Sequence, residues 1–221
     1  MVFSKEWDQR YKENTHMSIW PWSDLVSYVM RYARPGHEGY RVLELGCGAG
    51  ANIPFFRYLG VEYYAIEGSP TIVEQLVHRF PDMKGRIKVG DFTSSISFNE
   101  RFDLVVDRGS LTCNSTTAIK RCLDMVYDNL NPQGKYIGID WFSTLHTEFL
   151  KGFQDEDENT RNGYTDGPFA NTGRVHYSDK QHLLDVFHHF KIEILEHKII
   201  TQEIPEDNRV FAYWDLVARK E

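Results

Sequence analysis

Three glycines at alternate positions, Gly46, Gly48 and Gly50, follow the apolar run Val42-Leu43-Glu44-Leu45 and precede the helical pattern Ile53, Phe55, Phe56, Leu59. Glycine lets a backbone turn sharply and approach a ligand that a side chain would keep away. The helix beyond would present unpaired N–H groups and a partial positive charge, which suit a carboxylate or a phosphate. The next apolar run, Val61 to Ile66, ends in Glu67. A carboxylate at the tip of a second strand can accept both hydroxyl hydrogens of a ribose. Glycine loop and carboxylate together read as the nucleoside-binding half of a doubly wound sheet.

Other groups capable of chemistry lie further along. Asp107 ends the apolar run Phe102 to Val106 and Asp140 ends the run 135–139, so both sit where the ligand crevice of such a sheet opens. Asp107 either contacts a ligand or caps the turn into Arg108-Gly109-Ser110. A pair of strand-end carboxylates can hold Mg²⁺, but no metal is expected here. His146 and His176 bracket a long irregular segment, and each is a candidate general base for a hydroxyl or amine, beside Asp140 as a third acceptor-side candidate. The alternative for both histidines is an ordinary loop residue. His182, His188 and His189 share one helix and read as a solvated face. Cys47 reads as a small packing residue, and the acidic run Asp155-Glu156-Asp157-Glu158 as solvated surface. Trp20, Trp22, Trp141 and Tyr164 could enclose a cationic ligand or pack in the core.

The elements that must position these groups alternate. Helices are expected over 4–14 and 23–34, the second behind Ser23. Strand 41–46 leads to helix 51–59; strand 61–66 leads to a helix opened by Ser69-Pro70. Strand 86–89 precedes Gly90-Asp91-Phe92, strand 102–106 precedes a helix over about 115–130, and strand 135–139 follows Asn131-Pro132-Gln133-Gly134. This βα repetition predicts a parallel sheet covered on both faces. Residues 142–176 break the rhythm and predict a lid, a binding insertion or a disordered segment. A capping box at Ser178 to Gln181 opens one more helix. The runs 191–201 and 209–218 are too closely linked to be parallel and must pair as an antiparallel hairpin.

Composition narrows the partners. At 221 residues and 41% hydrophobic content the chain should bury about 70% of its unfolded surface as one unit. A net charge of −7 with scattered Lys and Arg argues against nucleic acid or an anionic membrane. No apolar run approaches the ~20 residues of a membrane span, and the charged start Ser4-Lys5-Glu6 is unlike a signal peptide. Three cysteines at irregular spacing do not form a disulfide framework. The expectation is a soluble cytoplasmic protein, monomer or homodimer.

Five parallel strands, a helix and an antiparallel hairpin from residue 40 onward resemble the class I S-adenosylmethionine-dependent methyltransferases, of the stand-alone small-molecule type. Leu43 to Gly50 looks like that family's nucleoside-site signature, with Glu44 in its acidic position. The resemblance implies S-adenosyl-L-methionine as cofactor and a Rossmann-like seven-stranded sheet. It implies ribose binding by Glu67 and Gly68, and adenine contacts by Asp91 and Phe92. It implies a methionine and ribose portion bedded by Gly46, Gly48 and Gly50; Asp107, by its position alone, is expected at the cofactor's methionine amino group or the acceptor. Trp7-Asp8-Gln9-Arg10-Tyr11 is similar to the family's opening, so that Trp7, Arg10 and Tyr11 close over the cofactor. Leu130 to Gly134 resembles its Leu-x-Pro-Gly-Gly turn, with Gln133 replacing a glycine. The reading over the full chain 1–221 is then one methyltransferase domain, with an N-terminal arm over 1–39, a lid over 142–176, and O- or N-methylation of a small molecule. Gly46-x-Gly48-x-x-Ala51 also fits a dinucleotide loop, which leaves a nicotinamide oxidoreductase open, as does a non-catalytic cofactor-binding protein. No Tyr has a Lys four residues later, which removes one common hydride-transfer arrangement.

Overall fold

The computed structural model describes residues 5–221; the expected helix start at residue 4 lies outside them. In chain order the elements are α1 (Lys5–Lys12), α2 (Ser23–Tyr28, continued by a π-helical turn Val29–Ala33), β1 (Arg41–Leu45), α3 (Ile53–Tyr58), β2 (Glu62–Glu67), α4 (Pro70–Arg79), β3 (Ile87–Val89), β4 (Phe102–Arg108), α5 (Thr116–Asn129) and β5 (Leu130–Phe142). Three short strands follow, β6 (Phe153–Gln154), β7 (Thr160–Asn162) and β8 (Val175–His176), then α6 (Lys180–Val186), β9 (Lys191–Gln202) and β10 (Asp207–Arg219).

The main sheet has seven strands in the order β3-β2-β1-β4-β5-β10-β9. Strands β1 to β5 are mutually parallel where they pair, and β10 runs antiparallel to both β5 and β9. The winding reverses between β1 and β4, and at such a switch point the loops leaving the carboxyl ends part to open a crevice. Alternate residues feed opposite faces, as the period of a strand requires. Val42, Leu104 and Val106 join a core with Ile53, Phe56 and Ile72, whereas Leu43, Leu45 and Val105 join another with Ile119, Leu123, Val126 and Phe187. Both faces are therefore covered, which is why these strands read as continuous apolar runs.

The fifth strand is longer than its apolar run suggests. Pairing with β4 jumps from Phe102↔Leu130 to Leu104↔Lys135, so residues 131–134 form a bulge inside one strand. Gln133 there adopts φ 64°, a left-handed conformation, and a Cβ on Gly134 would lie 2.8 Å from the Asn131 carbonyl. The break between β5 and α6 is ordered: β6, β7 and β8 make a small antiparallel sheet. It is backed by its own cluster of Tyr164, Val175 and Tyr177 with Phe142, Phe149 and Phe169. The acidic run is the segment's clasp rather than free surface. Asp155 bridges Arg174 at 3.0 Å, and Asp157 accepts the Thr116 N–H at 2.8 Å, capping α5 from across the chain.

Candidate active site

The loop after β1 owes its path to contacts that exclude side chains. Gly46 has φ 67°, and a Cβ there would lie 2.4 Å from that of Ser110, on the loop leaving β4. Gly48 has φ 51°, and its Cβ would lie 3.0 Å from the Tyr11 hydroxyl on the arm. Gly50 serves packing instead, facing Leu76 of α4 and Ile53 of α3. The helix after the loop begins at Ile53 and has only six residues, shorter than the pattern 51–59 suggests.

Carboxylates hold this loop from below. Glu67, at the tip of β2, accepts the Gly48 N–H at 2.9 Å and the Ser69 N–H at 3.0 Å, and is 3% exposed. Burial pushes its pKa up, and the backbone N–H groups of Ser69, Gly48 and Gly68 work in the opposite direction. Glu44, inside β1, accepts from Tyr63 Oη at 2.6 Å and Asn52 Nδ2 at 2.8 Å. Desolvation raises it to about 7 despite those bonds. At the tip of β3, Asp91 accepts from the Thr93 N–H at 2.9 Å and the Ser94 hydroxyl at 2.9 Å, beside the buried ring of Phe92.

The arm roofs the loop. Tyr11 is buried over Gly48, and Trp7 lies with its ring centroid 6.2 Å from that of Tyr11. Asp8 accepts from Ser69 Oγ and pairs with Lys12 at 2.7 Å, contacts that hold it well below the usual carboxylate range. Arg10 turns away and donates to the Ala170 carbonyl, tying the arm to the insertion. The Trp22 N–H donates to Asn52 Oδ1 at 3.2 Å, and the Arg108 guanidinium stacks 3.5 Å over the Trp22 ring.

These elements enclose a cavity of about 820 Å³. Of the sequence-predicted cofactor residues, Trp7, Tyr11, Glu44, Gly46, Gly48, Glu67, Asp91 and Phe92 line it, while Arg10, Gly50, Gly68 and Asp107 do not. Asp107 is fully buried and accepts from the Ser110 and Leu111 N–H groups at 3.0 Å each and from Trp141 Nε1 at 3.0 Å, so it caps the turn after β4. Of the four candidate aromatics only Trp22 reaches the cavity; Trp141 is core, Tyr164 belongs to the insertion's cluster and Trp20 is 79% exposed.

The three acceptor-side candidates lie outside the cavity lining. Asp140 has φ 59° and pairs with Arg108 at 2.6 Å. His146 is buried among Phe142, Phe169, Tyr177 and Phe211, its Nδ1 accepting the Glu148 N–H at 3.1 Å. His176 is buried between Thr160 and His182, its Nε2 3.0 Å from that of His182. Burial pushes His176 down to about 3, so it stays neutral at ordinary pH. His182 is thus half-buried against the insertion and not part of a solvated face; His188 and His189 are exposed. Among the described residues no group of three or more His, Cys, Asp or Glu is placed to hold a metal.

The cavity also gathers residues that sequence reasoning missed: Thr15, His16, Met17 and Ser18 from the arm, Arg108 at the end of β4, Ser110, Cys113 and Asn114 after it, and Asn162 and Arg174 from the insertion. Only Arg108 and Ser110 had a local signal, their place within three residues after the strand-end acid Asp107. Cys47, within the loop, is buried yet borders the cavity, and burial pushes its thiol well up.

Known proteins share this architecture. A family model described as a methyltransferase domain matches residues 42–134. No curated protein matches the chain in sequence. An S-adenosylmethionine-dependent methyltransferase from Methanosarcina mazei superposes with a TM-score of 0.68 at 17% identity, over 91% of this chain and 98% of that one. Magnesium protoporphyrin IX methyltransferase from Synechocystis, solved with bound S-adenosylhomocysteine, gives 0.59 at 15% identity over 90% and 80%. A Rhodobacter sphaeroides structure described as a zinc-dependent alcohol dehydrogenase gives 0.64 at 13% identity over the whole of both chains. At such identities likeness speaks for fold, whereas the matched segment spans the glycine loop, both strand-tip acids and the turn before β5. Residues 42–134 therefore match a methyltransferase-domain model, on a fold the chain shares with S-adenosylmethionine-dependent methyltransferases.

Proposed function

We propose that the cavity binds S-adenosylmethionine and that the chain transfers its methyl group, by in-line displacement, to oxygen or nitrogen of a small-molecule acceptor. One observation carries the reading: Glu67 and Asp91, at the tips of neighbouring strands, border the same cavity as a glycine loop whose Gly46 and Gly48 positions admit no Cβ without displacing Ser110 or pressing on Tyr11. That arrangement fits a nucleoside with its sugar toward Glu67 and Gly68 and its base toward Asp91 and Phe92. Its volume falls within the range of about 300–1,000 Å³ usual for small-molecule sites.

When bound, the cofactor supplies a methyl already activated by its sulfonium. The chain's work is then alignment and exclusion of water, effects able to contribute several kcal/mol. In this reading Gly46 and Gly48 bed the methionine portion under Trp7 and Tyr11. Gly50 and Asp107 act behind the wall, Gly50 by close packing and Asp107 by fixing the turn that carries Arg108 to Ser110, while Glu44 borders the cavity and holds Asn52. Arg10 clasps the lid, and a methionine carboxylate would instead meet a cavity cation such as Arg108. The acceptor would enter between the arm and the lid over 142–176, against Met17, Asn114, Asn162 and Arg174. The net charge of −7 and this deep enclosure favour a small molecule over nucleic acid. Among the described residues no helix is long and apolar enough to cross a membrane; a cytoplasmic monomer or homodimer completes the proposal on composition alone.

The test is incubation with methyl-labelled S-adenosylmethionine and panels of hydroxylated, amino and carboxylate acceptors, read by mass spectrometry. S-Adenosylhomocysteine formed together with a labelled product supports the proposal. Cofactor binding without turnover on any panel points instead to a non-catalytic binding protein.

A further inference from the structure

A methyl transfer to a protonated hydroxyl or amine needs a proton acceptor, and the three sequence candidates are all occupied elsewhere. Among the described residues, His16 is the one imidazole on the cavity wall. It is exposed, and its ring stands edge-on to Trp7 with centroids 5.4 Å apart. Its Nδ1 lies 3.1 Å from Thr15 Oγ1. The Thr15 hydroxyl in turn donates to the Arg10 carbonyl at 3.3 Å. With its hydrogen committed there, Thr15 Oγ1 can only accept from the ring, so Nδ1 carries the proton and Nε2 keeps a lone pair.

We infer that His16 is the catalytic base for acceptor deprotonation and that Thr15 is its positioning residue, an inference resting on the methyltransferase reading above. In the step, the acceptor's lone pair forms the new bond to the methyl carbon as the carbon–sulfur bond breaks and its electron pair stays on sulfur. The acceptor's proton passes to Nε2 of His16, while the pair of the broken O–H or N–H bond remains with the acceptor. The acceptor class that requires this help is a hydroxyl or amine still protonated at neutral pH; a carboxylate needs no base.

The other cavity groups suit the task less well. Burial pushes the Tyr11 hydroxyl far up and the Cys113 thiol to about 12. The charged groups sharing the cavity with His16 are Lys5 and Glu6 on its own arm, Glu44 from β1, Glu67 from β2, Asp91 after β3, Arg108 from β4 and Arg174 from the lid, with Arg10 behind. Partial burial and the Arg10 charge hold the ring below its ordinary value, so it is unprotonated near neutrality.

The experiment is histidine-ring NMR of the ¹³C,¹⁵N-labelled full chain across pH, with saturating S-adenosylmethionine or S-adenosylhomocysteine, the His16 signals assigned by His16→Gln. The expected results are an Nδ1–H tautomer that shifts toward Nε2–H in Thr15→Val, and a titration midpoint about 0.5–1 unit lower with the sulfonium ligand than with the neutral thioether. Binding of both ligands with identical midpoints, or an Nε2–H tautomer in the unsubstituted chain, overturns the inference and leaves the cofactor site standing. Binding of neither ligand refutes the cofactor site itself, and this inference with it. With an acceptor in hand, His16→Gln should lower kcat about 10²–10³-fold at unchanged KM for S-adenosylmethionine, and should abolish the acid limb of the pH profile.

Discussion

Replacing Gly48 by alanine separates what the loop does for the fold from what it does for a ligand. The residue adopts φ 51°, and the new methyl would lie 3.0 Å from the Tyr11 hydroxyl, so the buried arm tyrosine must yield by a few tenths of an ångström. A left-handed conformation costs an L-residue roughly 1–2 kcal/mol. For a chain of this size that corresponds to a Tm lower by about 2–8 °C. Gly60→Ala is the control: it bears the same strain at φ 69° with nothing within 4 Å of its Cβ, on the turn between α3 and β2. Both variants should lose comparable stability. Gly48→Ala alone should bind S-adenosylhomocysteine at least tenfold more weakly, about 1.4 kcal/mol, by calorimetry. Gly48→Ala with full affinity and the stability of Gly60→Ala would refute the claim that this loop and its tyrosine roof form the ligand bed.

Other consequences follow from the buried acids and the ties to the lid. Because Glu44 is raised to about 7 in the folded chain, its contribution to stability is complete below its unfolded pKa near 4.5 and is lost as pH rises through 7. Urea titrations of wild type and Glu44→Gln should therefore diverge between pH 5 and 7, the wild type falling by up to about 1 kcal/mol per pH unit relative to the variant; parallel curves would contradict the buried-acid reading. Asp157→Ala removes the cap that the lid places on Thr116 and should cost about 1 kcal/mol in denaturant unfolding. Arg10→Ala cuts the bond to the Ala170 carbonyl and should speed amide exchange over residues 164–172 while leaving S-adenosylhomocysteine affinity within a few-fold; a loss beyond tenfold would return Arg10 to the cofactor.

The parts of the site that were legible in the sequence are those built from neighbours along the chain. Glu67 could be read because a strand carries a carboxylate to its tip, and Gly46 and Gly48 because a turn that admits no Cβ declares itself in residue type. The parallel strands were legible because burial on both faces leaves uninterrupted apolar runs. What remained hidden depends on contacts between distant segments. Nothing near Arg10 announces that it reaches Ala170, and nothing near Asp157 announces that it caps a helix starting at Thr116. His146 and His176 looked available because they flank an irregular segment, but that segment folds so that an aromatic cluster buries His146 while Thr160 and His182 enclose His176. His16 was passed over because its significance comes from the ring of Trp7 and the chain of bonds through Thr15, neither of which has a periodic signature.

The most direct test of the central claim is calorimetric titration of the purified chain with S-adenosylhomocysteine, run beside NADH and repeated with Glu67→Ala. The account predicts micromolar binding of S-adenosylhomocysteine, none of NADH, and loss of most of the affinity in the variant. Binding of NADH alone would contradict it and assign the glycine loop to a dinucleotide.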